Sequence, residues 1–154
     1  MDFDLAPEQQ DFVKTVRAFV DDAIRPNAER WDEEGVLPLE AVKQMGDLGL
    51  FGLPFPEEYG GSGADFFTLC LAIEELARVS SSIAITLEAG VGLGAMPVYR
   101  FGTEEQRQKW LPQLASGEKL AGFGLTEPGG GSDAGATRTT AKLESGEWVI
   151  NGSK

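Results

Sequence analysis

Apolar residues recur at helical spacing through the first two-thirds of the chain, which predicts a succession of helices. The first stretch begins after Pro7, which suits a first helical turn, and ends or bends at Pro26. A second helix is predicted from about Pro38, with Gly49 as its stop. The apolar positions are Phe12, Val13, Val16, Phe19, Val20 and Ile24 in the first helix and Val42, Met45 and Leu48 in the second.

The middle of the chain predicts three further helices. The segment from Asp65 to Val79 is apolar on most faces, and such a helix is normally buried. We therefore expect its cysteine, Cys70, to be a small core residue. Ser80 to Ser82 cap another apolar helix, and Thr103 to Gln106 have capping-box spacing before a helix that runs to about Ser116.

After Gly117 the pattern changes to short segments rich in β-forming residues. Ser145-Gly146 indicates a turn between the last two of the predicted strands. The predicted strands are Leu120–Leu125, Thr137–Leu143 and Trp148–Ile150. The fold class is therefore mainly α, with an all-α domain over residues 1–117 and the start of a β domain over residues 118–154.

The Asn151-Gly152 pair is typical of a hairpin turn and predicts a further strand, yet the sequence runs only to Lys154. Because two or three strands alone make a marginal sheet, we expect the chain to be a fragment whose β domain continues. The alternative interpretation is that residues 151–154 are a polar tail.

Composition excludes several classes of site. The chain has 154 residues, 42% of them hydrophobic, which is enough for a packed core. A single cysteine excludes an internal disulfide and a Cys-x-x-Cys site, and the lack of histidine excludes Ser-His-Asp catalysis and histidine-ligated zinc within these residues.

The net charge of −12 disfavours nucleic acid and anionic membrane surfaces as partners. No apolar run in the sequence approaches the ~20 residues of a membrane span. The first residues lack the basic region of a secretion signal and the arginines of a transit peptide. We expect a soluble, cytoplasmic protein, or a mature form from which a targeting segment has been removed.

The segment Gly124–Ala136 carries the candidate chemistry. It contains glycines, hydroxyls and carboxylates with almost no apolar bulk, so a ligand can lie directly on its backbone. Its N–H groups can face an anion without a lysine, and Thr126 and Ser132 add hydroxyls. The pattern predicts a site for a phosphate-bearing ligand, and the alternative is that the glycines only form a connection between strands.

Four blocks of sequence resemble the acyl-CoA dehydrogenase family, in order and at similar spacing, along nearly the whole chain. The signature is Gly-Leu-Thr-Glu-Pro followed by glycines and Gly-Ser-Asp, within Gly124–Ala136. The other blocks are Phe-Pro-Glu-Glu-Tyr-Gly-Gly (Phe55–Gly61), the helix entry with Trp-Leu-Pro (Phe101–Pro112), and Trp-Val-Ile-Asn-Gly-Ser-Lys (Trp148–Lys154).

The resemblance implies an N-terminal helical-bundle domain followed by the first strands of a β-barrel domain. It also implies FAD as cofactor and oxidation of the α,β bond of an acyl thioester, with hydride transfer to the flavin. The cofactor-binding residues it implies are Phe123, Gly124, Leu125, Thr126, Gly131 and Ser132. Leu125 and Thr126 would meet the pyrimidine end of the flavin ring, whereas Ser132 would reach the pyrophosphate and border the acyl-CoA channel.

The resemblance assigns no catalytic residue to this chain, because the family's glutamate base belongs to a C-terminal helical domain. Its other implications are an acyl-CoA substrate, electron-transfer flavoprotein or a similar acceptor, and a homo-oligomer, specifically a homotetramer, at full length. Two alternatives stay open: a non-catalytic partner subunit of the same fold, and a flavin oxidase or monooxygenase.

Three carboxylates have structural interpretations beside functional ones. Glu127 and Asp133 are expected to organise the glycine-rich loop through backbone hydrogen bonds. Glu88 lies in an apolar segment where many relatives carry a histidine nearby, and it is either a functional carboxylate or a helix-end residue facing a loop or solvent. The glycines Gly90, Gly92 and Gly94 weaken that helix.

Overall fold

The computed structural model describes residues 4–154 of the chain. They form two compact units, the first ending at Gly122 and the second spanning Phe123–Lys154. The domain boundary predicted from sequence, at Gly117, stays a prediction. The fold class is confirmed: the first unit is helical and the second contains a two-stranded antiparallel sheet.

Seven α-helices, α1 to α7, make up most of the first unit within the described residues. They are α1 Pro7–Phe19, α2 Ala28–Glu34, α3 Leu39–Asp47, α4 Phe66–Ala77, α5 Ser81–Glu88, α6 Met96–Phe101 and α7 Glu104–Ala115. Wider π-helical turns continue α1 over Val20–Ile24 and join α5 to α6 over Ala89–Ala95. Short 3-10 turns occupy Leu50–Gly52 and Glu57–Tyr59.

The predicted helix starts are confirmed by their caps. Pro7 is the first residue of α1. The side chains of Ser80 and Thr103 accept hydrogen bonds from the backbone N–H groups of Ile83 and Gln106. The short helix α2 was not predicted, because it has no buried residue and so carries no apolar stripe.

The core of the first unit is one continuous apolar cluster. α4 packs against both α1 and α5. The largest side chains that are fully buried in it include Phe51, Phe55, Met45, Leu76 and Leu111.

The Phe55–Gly61 block forms a tight loop that depends on glycine. Gly60 adopts a left-handed conformation with φ 81°. A Cβ at Gly61 would overlap the carbonyl oxygen of Phe55, so only glycine fits there. The Gly-Gly pair of this motif is therefore explained by backbone packing.

The prediction that α4 is buried on nearly all sides is wrong for the described residues. Its buried positions, among them Leu69 and Leu76, lie toward α1 and α5, whereas Phe66 and Phe67 are 49% and 50% exposed. Cys70 is an exposed free thiol, so its assignment to the core is also wrong. Among the described residues α4 packs mainly against α1 and α5, and its apolar composition exceeds what these two helices cover.

One helical stretch of the described residues, Ser81–Phe101, is long and apolar enough to cross a membrane by length and composition, with a mean hydropathy of 1.3. The sequence expectation that no apolar run approaches the length of a membrane span is therefore wrong. A core helix of a soluble protein meets the same criteria. Leu87, Val91 and Ala95 of this stretch are buried in the first unit.

The second unit contains one hairpin. Strands β1 Thr140–Glu144 and β2 Glu147–Asn151 pair antiparallel, with Lys142 opposite Val149. Ser145 and Gly146 both have positive φ, 53° and 88°, as a two-residue hairpin turn requires. The turn prediction is therefore confirmed.

One sequence expectation for the predicted β region is wrong, and another stays a prediction. Residues 120–125 form no strand, since nothing in the described part of the chain pairs with them. β2 ends at Asn151, and the expectation that Asn151-Gly152 leads into a further strand stays a prediction.

A buried carboxylate joins α1 to α4. Glu75 is 4% exposed and accepts hydrogen bonds from Arg17 at 2.9 and 2.7 Å and from Arg78 at 2.7 Å. The hydrogen bonds from Arg17, helped by the one from Arg78, outweigh burial and lower the pKa of Glu75 below its ordinary value of 4.5. Both arginines are partly exposed, which screens the pairs.

We predict that Glu75→Gln lowers the free energy of unfolding by about 1 kcal/mol at neutral pH, because its ion pairs with two partly exposed arginines are lost. Since folding lowers the pKa, this contribution is complete above pH 4.5 and is lost as the pH falls below that value. Urea unfolding at several pH values measures it. Glu74→Gln, an exposed neighbour on α4, is the control, and equal stability of the two variants would contradict the prediction.

Candidate functional site

The glycine-rich segment of the second unit begins with a tight turn. Glu127 and Gly130 exchange two backbone hydrogen bonds, with N···O distances of 2.9 and 3.1 Å, around Pro128 and Gly129. A second turn follows at Ala134–Ala136, where the N–H of Ala136 donates to the carbonyl of Asp133 at 3.1 Å. The loop is therefore ordered by its own backbone at two points.

The Glu127 side chain closes this loop. Its carboxylate accepts hydrogen bonds from the backbone N–H groups of Arg138 at 2.7 Å and Thr139 at 3.0 Å, and the side chain is only 8% exposed. These backbone bonds, with the Lys154 ammonium, lower the pKa of Glu127 to about 2. The expectation that Glu127 organises the loop is confirmed, whereas Asp133 contributes the backbone carbonyl described above.

Lys154 is the cation of this arrangement. Its Nζ lies 2.9 Å from Oε1 of Glu127 and donates to the carbonyl oxygen of Leu125 at 3.0 Å. Sequence reasoning missed this role, because the spacing of 29 residues from Leu125 carries no local signal. The sequence does hold one indication. A carboxylate shielded within a loop needs a positively charged partner, and the second unit contains three candidates: Arg138, Lys142 and Lys154.

The structure brings two of the predicted cofactor residues together. A Cβ at Gly131 would lie 3.1 Å from Oγ1 and 3.3 Å from Cγ2 of Thr126, so the Thr126 side chain packs on the bare backbone of Gly131. Gly124 faces the Lys154 side chain in the same way, because a Cβ at Gly124 would lie 3.4 Å from the Cβ of Lys154. Glycine at these positions permits close approach.

The other predicted residues are accessible. Phe123 and Leu125 are exposed in the irregular segment before Glu127, and Ser132 is exposed just after Gly131. No hydrogen bond joins Ser132 to Phe123 or Leu125 in the described part of the chain. These assignments stay predictions.

The loop presents a set of free donors. The backbone N–H groups of Leu125, Thr126, Gly131 and Ser132 make no hydrogen bond to any other described residue, and neither do the hydroxyls of Thr126 and Ser132. Nothing lies within 4 Å of where a Cβ would stand at Gly129 and Gly130. Unpaired donors beside open backbone are suited to a ligand rich in acceptor oxygens, such as a phosphate-bearing cofactor.

Glu88 lies outside this site. It is the last residue of α5, but the helical path continues into Ala89–Ala95, so the helix-end interpretation is only partly right. Its half-buried side chain folds over Gly92, where a Cβ would be 3.2 Å from Oε1. Gly92 thus provides the space that this carboxylate occupies.

The chain matches known proteins over nearly its whole length. A family model described as "Acyl-CoA dehydrogenase, N-terminal domain" matches residues 6–118. A relative named "Probable acyl-CoA dehydrogenase YngJ", from Bacillus subtilis, is 51% identical over 154 residues, which is 100% of this chain and 40% of the relative. The chain thus spans about 40% of the length of the curated relatives it matches.

Two solved structures resemble the fold closely. A chain of the acyl-CoA dehydrogenase complexed with FAD from Bacillus anthracis superposes with a TM-score of 0.86 at 41% identity, covering 97% of this chain and 26% of that one. A chain of a structure described as the electron transferring flavoprotein of Acidaminococcus fermentans gives a TM-score of 0.94 at 43% identity, covering 99% and 40%. With the family model matched over most of its helical unit, the chain belongs to the acyl-CoA dehydrogenase family.

Proposed function

We propose that this chain is the N-terminal portion of an FAD-dependent acyl-CoA dehydrogenase, which oxidises the α,β bond of an acyl-CoA thioester. The observation that carries the proposal is the set of unpaired donors on the glycine-rich loop, in a chain of this family. These four backbone N–H groups and two hydroxyls are open to solvent, so a ligand rich in acceptor oxygens can replace the water that they bind.

The residues of the loop suit FAD. We infer that Phe123, Gly124, Leu125, Thr126, Gly131 and Ser132 form one wall of its site. When bound, FAD supplies the acceptor for the hydride that leaves the β carbon of the acyl group. Backbone donors hold phosphate oxygens without the chain having to supply further cations, which suits a chain with a net charge of −12.

Thr126 and Ser132 have different tasks in this proposal. Thr126 lies at the flavin ring, where its donors stabilise the negative charge that builds up on reduction. Ser132 donates to the pyrophosphate and borders the acyl-CoA channel, so it fixes position and does not take part in proton transfer. The proton on the α carbon goes to a carboxylate base, and we assign none of the 154 residues to that role.

The proposed partners follow from the same family. The substrate is an acyl-CoA, and the electrons pass to electron-transfer flavoprotein or a similar acceptor, a proposal supported by the likeness to a chain from the electron transferring flavoprotein structure. We further propose a cytoplasmic homo-oligomer at full length, with no nucleic-acid or membrane partner.

The direct test uses a protein that carries this chain together with the remaining length of its relatives. We expect it to purify with a flavin absorbance spectrum and to lose that absorbance when an acyl-CoA is added without oxygen. A protein that binds FAD but is not bleached by any acyl-CoA would contradict the dehydrogenase and favour a partner subunit or an oxygen-using flavoenzyme.

We predict that the 154-residue chain by itself reduces no electron acceptor with acyl-CoA and retains little FAD, because one wall of a cofactor site leaves most of the ligand in water. Absorbance after purification and a dye-reduction assay measure both properties. Near-equal flavin content or any acyl-CoA-dependent turnover would contradict it.

At full length, Ser132→Ala is predicted to weaken FAD binding tenfold or more, since a charge-assisted hydrogen bond contributes roughly 1.5–3 kcal/mol and about 1.4 kcal/mol is tenfold. Titration of the apoprotein with FAD measures the dissociation constant. Ser81→Ala, at the exposed start of α5, is the matched control. Equal affinity of the two variants would remove Ser132 from the pyrophosphate site.

Thr126→Val is predicted to lower the reduction potential of the bound flavin more than it weakens the binding of oxidised FAD. Charge accumulates on the ring only upon reduction, so a donor there acts mainly on the reduced form. Equilibrium reduction against a reference dye gives the potential, with Thr140→Val on the exposed β1 strand as the control. An unchanged potential would place Thr126 away from the ring.

A further inference from the structure

Lys154 makes two contacts with the first residues of the glycine-rich loop. Its Nζ donates to the carbonyl oxygen of Leu125 at 3.0 Å and lies 2.9 Å from Oε1 of Glu127. The lysine side chain is 32% exposed and the glutamate side chain 8%, so the pair is shielded on the glutamate side. A lysine with two fixed acceptors has far less rotamer freedom than one in solvent.

The contact with Leu125 fixes a neighbouring donor. The peptide unit between Leu125 and Thr126 is planar and trans, so its carbonyl and its N–H point to opposite sides. When Lys154 holds the Leu125 carbonyl, the N–H of Thr126 must face away from the lysine. That N–H has no hydrogen-bond partner among residues 4–154.

Glu127 connects the Lys154 contact to the rest of the loop. Its carboxylate also holds the N–H groups of Arg138 and Thr139, while the loop in between returns Gly131 to the side of Thr126. The pKa of about 2 keeps this group charged at any pH suited to flavin titration. The ion pair thereby connects the Leu125–Thr126 peptide to the closure of the whole loop.

We propose that Lys154 and Glu127 form a positioning pair that orients the Thr126 donors toward the flavin ring and thereby stabilises the reduced cofactor. This inference rests on the proposed function, because it requires FAD at the loop. Neither residue touches the cofactor in this proposal; both act through the Leu125–Thr126 peptide.

The decisive variant is Lys154→Met, which keeps the length of the side chain but gives up both contacts. Without the lysine, the Leu125–Thr126 peptide can rotate and its N–H is no longer held toward the ring. We expect the ratio of the affinity for reduced FAD to the affinity for oxidised FAD to fall about tenfold. For a two-electron couple, this lowers the reduction potential of the bound flavin by about 30 mV. The measurement is the reduction potential of the full-length, FAD-loaded protein against a reference dye.

Two companion variants separate positioning from charge. Lys154→Arg keeps a donor that can reach both acceptors, so we expect a potential close to that of the unmodified protein. Lys142→Met removes one cation from the exposed β1 strand of the same unit, and we expect no shift. A shift in Lys142→Met as large as in Lys154→Met would overturn the proposal in favour of a general charge effect.

A double variant tests whether the two residues act together. Glu127→Gln keeps the size of the side chain and removes its charge, so we expect it to lower the potential as well. The double variant Glu127→Gln/Lys154→Met should lower it no further than the larger single effect. Additive shifts would show that the residues act independently and would overturn the pair.

The outcomes distinguish this inference from the proposed function. If the unmodified protein binds no FAD, the proposed function is wrong and the inference falls with it. If the protein binds FAD and is reduced by acyl-CoA, but Lys154→Met has an unchanged potential, the proposed function stands and the positioning pair is wrong. Should Lys154→Met fail to fold, the potential of Glu127→Gln against Glu144→Gln, an exposed residue of β1, decides in its place.

Discussion

The Glu127 carboxylate holds together a unit that buries almost no apolar surface. The residues of β1 and β2 are exposed on both faces, including the large side chains of Leu143, Trp148 and Ile150. Among residues 4–154, apolar burial therefore contributes little to the order of this unit. The hydrogen bonds from Arg138 and Thr139, the Lys154 ion pair and the backbone bonds between Glu127 and Gly130 supply the constraints instead. The proposed cofactor wall and the proposed positioning pair both depend on this one side chain.

In the first unit, apolar burial contributes more to stability than polar contacts do. Its helices surround a continuous apolar cluster, and the buried carboxylate of Glu75 accepts hydrogen bonds from two arginines. In such a core the ion pair adds orientation between α1 and α4 to a structure that burial already stabilises. In the second unit the ion pair has no core behind it. Removing Glu127 is thus expected to affect the shape of the loop more than removing Glu75 affects the shape of the bundle.

The sequence allowed prediction wherever the physical cause is local. Pro7 and Thr103 mark helix starts because they act on the adjacent turn, and Ser145-Gly146 marks a hairpin because two positive φ angles are required there. Cys70 was misplaced because apolar composition alone does not tell which faces of a helix have neighbours. Residues 120–125 were misplaced as a strand because strand formation needs a partner, which the segment itself cannot specify. Lys154 was missed because its two acceptors lie far back along the chain.

The charge distribution agrees with anion binding at the loop in spite of the net charge of −12. Residues 123–154 carry four carboxylates and three cations, whereas the other acidic residues belong to the first unit. Of the four carboxylates, Glu127 is paired with Lys154 and tied to two backbone N–H groups, so its charge is already compensated. The donors at Thr126, Gly131 and Ser132 thus lie in a unit close to neutral, where backbone dipoles suffice to attract a phosphate-bearing ligand. An uncompensated Glu127 would repel that ligand from within the loop, so the ion pair that shapes the backbone is also what makes the site electrostatically acceptable to an anion.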